Sequence, residues 1–548
     1  MPTPSLLVRY ANGFILASPS TPLAMKVYSG RCLDIGENAN YGAHLVDVGT
    51  DTPYPRYITL SYRWTAETKR TSLRVENTEQ FYISIPDNDW PQIYKDAVSI
   101  AYQLGVRYIW IDSLCIVQDN EEDWVEQASQ MDQIYSNGAL NLAGVEAQRE
   151  TGLIFERIPL RVAPCVLTQS TVEADTSSES WICYRPDDVR KAVDRAPLYG
   201  RGWTYQERML SKRTVHFADQ VFWECGCLHA SEAFPLGTDD PLHPEVLDDA
   251  PLRVKTELKS GIPSTEGGPV QASNPQWRLG NSSQSPEPPN LHRLHRIWCS
   301  IVRCYSPTRL THAADRLFAL KGISKVLARS YGLSANDYLT GLWKPCLAQQ
   351  LLWSRESDTY TPEDEVIASD LQSYFPSWSW ACCPGETRFV YCFYGFLQTF
   401  ITLDGDDNVS NEDARSPIPT HLTIRGRLIA RQEIQHQFSS ARGRQAFIVT
   451  FKLDEEVNDA PVEIHVEMDR PVRDQESQVE ILPVMSEMGH LCGLVLIPQG
   501  LKGGSQVYKR AGIFHCEAKA LERFLCVDMG ITEKLEDVLD ASAPFFLL

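Results

Sequence analysis

Residues 94–144 read YKDAVSIAYQLGVRYIWIDSLCIVQDNEEDWVEQASQMDQIYSNGALNLAG, and their periodicity decides the fold class. Ala97, Ile100, Ala101 and Leu104 recur at i, i+3, i+4 and i+7, the spacing of one helix face, and Gly105 supplies a C-terminal stop. VRYIWI (106–111) is mostly apolar, as suits a strand buried on both faces. From Asp119 to Tyr135 a second amphipathic helix is expected, with Trp124, Ala128, Met131 and Tyr135 on one stripe. ALNLAGV (139–145) reads as another strand, and upstream YITLSY (57–62) is a strand ending in a polar loop. Strand, helix, strand, helix, strand predicts an α/β unit with a parallel sheet covered on both faces.

Working outward, residues 1–50 form a lead-in of short strands and turns, and the α/β domain spans 51–235 with its core at about 57–145. Within it RTVHFADQVFWEC (213–225) reads as a hairpin. Residues 259–290 are rich in Ser, Pro, Gly and Asn and poor in apolar groups, which marks a flexible linker. Residues 291–370 are expected to be helical. Residues 371–548 are expected to be β-rich, since HLTIRGRLIA (421–430), AFIVTFKL (446–453), VEIHVEM (462–468) and LCGLVLI (491–497) have strand length and β-branched content.

The bulk numbers exclude several function classes. The 548 residues carry 51 Lys plus Arg against 71 Asp plus Glu, a net charge of −20, so a nucleic-acid partner held by a basic face is not expected. Fifteen cysteines stand without framework spacing, and no signal peptide is legible, which points to free thiols in a reducing, cytoplasmic setting. No stretch approaches the roughly 20 apolar residues of a membrane span. There is no Walker loop, no G-x-G-x-x-G and no G-x-S-x-G. Cys225, Cys227 and His229 form C-x-C-x-H without a second ligand pair, so no metal site is expected.

Three segments carry a resemblance. YITLSYRW (57–64), the quoted stretch 94–144, and YGRGWTYQERMLSKRTVHF (199–217) followed by WEC (223–225) resemble, in this order, the signature blocks of the fungal heterokaryon-incompatibility (HET) domain. LTHAADRLFALKGIS (310–324), YLTGLW (338–343) and FPSWSWA (375–381) are similar to landmarks of the companion region of such proteins. Thr65 departs from the pattern, which has Gly after the Trp. The resemblance implies a TIR-like (flavodoxin-like) fold followed by a helical segment and a β-rich C-terminal region. It also implies a role in vegetative incompatibility, self/non-self recognition and programmed cell death, with a protein partner or self-association. Some TIR domains cleave NAD with a glutamate, so NAD is a candidate substrate. HET proteins also occur in biosynthetic clusters of secondary metabolism, which leaves an enzyme or accessory role there as an alternative.

Strand ends locate the candidate site, because open parallel sheets bind ligands there. Ser61, Tyr62, Arg63 and Trp64 end the first strand; Asp112, Ser113 and Cys115 follow the second. Arg63 suits a phosphate or carboxylate and Trp64 a flat ring, unless Arg63 and Asp112 simply pair to tie two loops. With Trp124 at 0°, Glu126 falls near about 200°, on the solvent side, and Gln127 near about −60°, beside the packed stripe. The TIR-like glutamate is therefore sought in the third block. If WTYQERML is helical, Trp203, Glu207 and Leu210 share a face with Gln206 beside them, and Arg201, Arg208 or Arg63 could partner Glu207. Glu207, Asp112 and Cys115, the last with His216 as its base, are the catalytic candidates. His292 and His295 read as an exposed basic pair on a helix.

Overall fold

A computed structural model of the chain describes residues 30–36, 42–48, 56–86, 89–145, 152–154, 165–168, 180–183, 190–225, 229–233, 254–255, 289–356, 360–390, 398–403, 421–426, 428–433, 438–439, 446–451, 462–469, 478–487, 490–517 and 544–548. The chain divides into two compact units, Met1–Ile262 with Ala319–Ile323, and Pro263–Phe318 with Ser324–Leu548.

The first unit is built on one mixed sheet. Its strands are β1 (Gly30–Asp34), β2 (His44–Val48), β3 (Tyr57–Ser61), β4 (Tyr108–Trp110), β5 (Leu140–Gly144), β8 (Arg213–Phe217), β9 (Val221–Cys225) and β10 (His229–Ser231), while β6 (Cys165–Thr168) and β7 (Ser180–Cys183) form a separate hairpin. The order is β10-β9-β8-β5-β3-β4-β1-β2. β3 pairs parallel with β4 and β5, and β5 with β8, so the expected parallel core is present. The sheet is not parallel throughout. β1 and β2, from the lead-in, extend one edge in antiparallel fashion, and the hairpin partner β9 with β10 extends the other. A tight hairpin can only add an antiparallel strand, which is why the sheet reverses from β8 to β9; at the other edge β1, distant in sequence, joins β4 antiparallel without a hairpin.

Helices cover both faces. α1 (Gln92–Gln103) starts after Pro91, which has the fixed φ of a helix entry, and ends with Gly105 at φ 64. Its Ile93 and Tyr94 meet the face carrying Tyr62 and Gly144. The expected second helix divides instead into α2 (Glu121–Ser129) and α3 (Met131–Asn137), because Gln130 leaves the helical region at φ −103, ψ 0. The break lets Met131, Ile134 and Tyr135 turn into the opposite face, where Tyr135 packs edge-on against Trp110. On that same face lies α4 (Gly202–Leu210), so WTYQERML is helical, and every residue but Trp203 is buried.

In the second unit, helices Pro289–Tyr305, Leu347–Leu351 and Pro362–Tyr374 fall in the expected helical stretch, along with an unexpected hairpin, Tyr338–Leu339 with Leu342–Trp343. Its turn residues Thr340 (φ 43) and Gly341 (φ 93) both take positive φ, as a type I′ turn demands. Two indoles, Trp298 and Trp380, each donate to the Gly341 carbonyl at 2.8 Å, and Ser379 Oγ donates to Thr340 O at 2.6 Å. The YLTGLW and FPSWSWA segments thus meet in one buried clasp. The remainder is an eleven-stranded sheet dominated by the hairpin His490–Lys502 with Ser505–Glu517, as the β-rich reading expected. The stretch 256–288, most of the expected linker, lies outside the described residues. His295 is not an exposed base: burial pushes it down to about 4, and its ring packs on Phe389.

Candidate functional site

One face of the sheet is polar where a core should be apolar. The register sets Thr59 beside Asn141, Asn141 beside Thr214, and Thr214 beside Glu224, all buried. Ser61 and His216 stand in the next row, two residues on and therefore on the same face. Burying such groups is costly unless each finds a partner. α4 supplies partners from two consecutive residues, Glu207 and Arg208.

Glu207 goes to the end of β3. Ser61 Oγ bonds to its carboxyl, and Tyr135 lies against both groups. Ser61 also lies 3.2 Å from Asn141 Oδ1, which accepts from Thr59 Oγ1 at 2.9 Å. Ser61 has one hydroxyl proton and two acceptors. With the Asn141 carbonyl turned to it, both bonds form together only when Glu207 is protonated and donates. Burial, opposed by the Ser61 bond and aided by nearby Asp112, pushes the Glu207 carboxyl up to about 7; Arg201 and Tyr135 pull the other way. At neutral pH Glu207 can therefore give or take a proton.

Arg208 goes the other way. Its Nε and Nη2 donate to Glu224 Oε2 at 2.9 and 2.6 Å, its Nη1 to Asp194 Oδ1 at 2.8 Å, and its face lies 4.7 Å from the Tyr199 ring. Lys255 Nζ reaches Glu224 Oε1 at 2.7 Å, and His216 Nε2 lies 3.2 Å from Glu224 Oε2. Burial works against the Glu224 carboxylate, yet Arg208 and Lys255 hold it well below its ordinary range. Burial pushes His216 down to about 4, so it is neutral. The expectation that Arg208 could partner Glu207 is corrected: the buried acid–arginine clasp exists, but its acids are Glu224 and Asp194.

Above the strand ends the expected crevice residues divide into two groups. β3 and β4 are neighbours, so Trp64 and Asp112 do meet, with Trp64 Nε1 donating to Asp112 Oδ2 at 2.7 Å. Asp112 is thus tied to Trp64 and to its neighbour Ser113 N at 2.7 Å; among the described residues it makes no ion pair with Arg63, which is exposed because its side chain leaves the strand end toward solvent. Burial raises Asp112, against the Trp64 bond and the charge of Arg201. Arg201 Nη1 donates to Tyr62 O at 2.8 Å. Trp203 and Trp124 are half-buried and meet edge-on at 5.8 Å. Glu126 is exposed and Gln127 buried, as the helical phase indicated.

Other candidates lie elsewhere. Tyr62 and Ser113 are joined with Tyr94 in a hydroxyl cluster (2.6 to 2.9 Å) on the α1 face, away from Glu207. Gln206 Oε1 accepts from Gly322 N at 2.8 Å. Cys115 is fully buried under β1, where burial pushes its thiol up to about 12, and its neighbours are Arg31 and Cys32. His216 is occupied with Glu224 and Tyr199, so the Cys115–His216 pairing is not formed. Among the described residues no three His, Cys, Asp or Glu side chains are grouped as a metal would need, and ten cysteines, Cys115 and Cys225 among them, are free thiols.

The turns after β3 and β4 lie where strand order reverses: the chain runs from β3 out to β4, then returns to β5 on the far side of β3. Residues 57–207 match the family model described as Heterokaryon incompatibility protein (HET). The chain carries a HET domain. Its matched span opens on the first residue of β3 and closes on Glu207, the acid that returns to the end of that strand. No curated protein and no solved structure matches the chain. Asn141, Tyr135, Asp194, Glu224 and Lys255 were not among the expected site residues. The signal for Asn141 was present in the alternation of ALNLA and YITLS, which a strand buried on both faces does not ordinarily show.

Proposed function

We propose that this HET domain acts in the cytoplasm in heterokaryon incompatibility, as a cell-death factor of self/non-self recognition, and that its crevice cleaves NAD. The observation that carries the chemistry is Glu207, a buried acid held near neutrality beside Ser61 at the strand-order reversal. The parallel strands run β4-β3-β5-β8, or 2-1-3-4 in sequence order. That order matches the start of the doubly wound 2-1-3-4-5 arrangement and supports a TIR-like, flavodoxin-like reading. At the mouth, exposed Arg63 suits a phosphate, and the half-buried rings of Trp64, Trp124 and Trp203 suit a flat base.

In the reaction, ionised Glu207 takes a proton from water. The water oxygen bonds to the ribosyl C1′ as the glycosidic C–N bond breaks, and nicotinamide leaves with the bonding pair. Nicotinamide, ADP-ribose and a proton result. Arg201, near both carboxyls, limits their mutual repulsion.

The test is nicotinamide release from NAD by full-length protein beside a Glu207→Gln variant. Loss of about 100-fold or more in that variant is expected for a general base. Folded wild-type protein that releases none overturns the reading. If crevice variants then lose self-association, the domain works through a protein partner or a second copy.

A further inference from the structure

Glu207 and Arg208 are consecutive, oppositely charged and buried, yet they do not pair. Their side chains leave α4 about 100° apart. Glu207 meets Ser61 on β3; Arg208 meets Glu224 on β9 and Asp194. Every nitrogen of the Arg208 guanidinium is bonded, and its flat face is stacked on Tyr199. Thr204 and Gln206 also anchor the helix, to Leu198 O and Gly322 N, but a guanidinium whose three nitrogens are all bonded to two carboxylates accepts one orientation where an apolar face accepts several.

We propose that Arg208 is a positioning residue, which fixes the rotation of α4 so that Glu207 meets Ser61, while Glu224 and Asp194 keep its positive charge occupied. The inference rests on the reading of Glu207 as the acid of the site. The cluster is electrically balanced, with the cations Arg208 and Lys255 facing the carboxylates Glu224 and Asp194 and a neutral His216. It therefore adds little field at Glu207. The groups that do face Glu207 are Ser61 on β3, Tyr135 on α3, Asp112 after β4 and Arg201 at the start of α4. Were Arg208 not so occupied, a guanidinium one residue away would join Arg201 in holding Glu207 ionised.

The test reads the Glu207 carboxyl directly, by its infrared band during a pH titration of the full chain, assigned by difference from Glu207→Gln. Arg208→Lys keeps the charge and loses the fork. It is expected to displace the Glu207 band from its Ser61-bonded position and to lower kcat for nicotinamide release at least tenfold with little change in KM. Glu224→Gln leaves the fold's shape and releases the Arg208 charge, and it is expected to lower the Glu207 midpoint by about one pH unit, tenfold in proton affinity. If these variants fold poorly, Arg208→Met combined with Glu224→Met removes both charges together and is expected to displace the band as well. Variants that fold like wild type and leave band position and midpoint unchanged overturn the proposal. A band that moves in a protein without NAD turnover upholds the positioning and sinks the NAD reading alone.

Discussion

Trp64 and Asp112 join the turns that follow two neighbouring strands, the indole Nε1 donating to Asp112 Oδ2 at 2.7 Å. The bond ties the two strand ends together, and it replaces the Arg63–Asp112 pair that the sequence suggested. Trp64→Phe keeps a ring and deletes the donor. Because a bond to an ionised group is worth about 1.5–3 kcal/mol, a loss of that order is expected in urea unfolding at pH 8. The loss should shrink as Asp112 protonates at low pH. Equal losses at pH 8 and pH 4 would show that the indole packs without holding the carboxylate.

Glu207 gives a pH dependence with a definite sign. Its carboxyl titrates at about 7 in the fold against an ordinary value of 4.5. Between these values the native state binds the extra proton, so this group's contribution is fully present below pH 4.5 and is lost as pH rises through 7. The buried His216 and the half-buried His229, both pushed down to about 4, slope the other way up to 6.5. Comparison with Glu207→Gln isolates the acid. The variant, a neutral mimic, should gain on wild type from pH 5 to pH 8 by up to about 3 kcal/mol. A constant difference would place Glu207 at an ordinary acidity.

Cys115 should be inert. With its thiol buried and pushed up to about 12, alkylation by iodoacetamide at pH 7.5 is expected only as fast as the domain opens. Peptide mapping that finds Cys115 labelled ahead of the half-buried Cys225 and Cys299 would overturn this and revive it as a nucleophile.

Gly341→Ala should damage the second unit. An added Cβ would stand 2.8 Å from Trp380 Nε1, and φ of +93° is a region that side chains rarely adopt. A destabilisation of about 1–3 kcal/mol or more is expected, read as the thermal unfolding of the full chain. Unchanged unfolding would mean that the two indoles can move off the Gly341 carbonyl without cost.

Periodicity made the parallel core legible, because Ile58, Leu60, Leu140 and Leu142 report burial locally. Glu207 was legible for the same reason: a charge on the packed face of an apolar helix is an anomaly that needs no partner to be seen. What lay beyond reach depends on long-range pairing. β1 and β2 carry no mark of joining the edge beside β4 rather than standing apart. The break at Gln130 sits inside an unbroken amphipathic pattern. Arg208's acids lie 14 positions back and 16 ahead, and Lys255 lies 31 beyond Glu224, so nothing local announced them.

The region by which the chain is recognised ends at residue 207, but the sheet continues through Ser231, and Glu224 receives one of its two cations from Lys255. Trimming at the family boundary would strip β8 from β5 and leave a row of open amide and carbonyl groups ready to pair with other chains. A fragment ending between Ser231 and Lys255 would keep its strands and still bury Glu224 with half its counter-charge. Toxicity or aggregation seen with such pieces would then be a property of the cut, and only a piece that reaches past Lys255 and also keeps residues 319–323, whose Gly322 N bonds to Gln206, would speak for the domain.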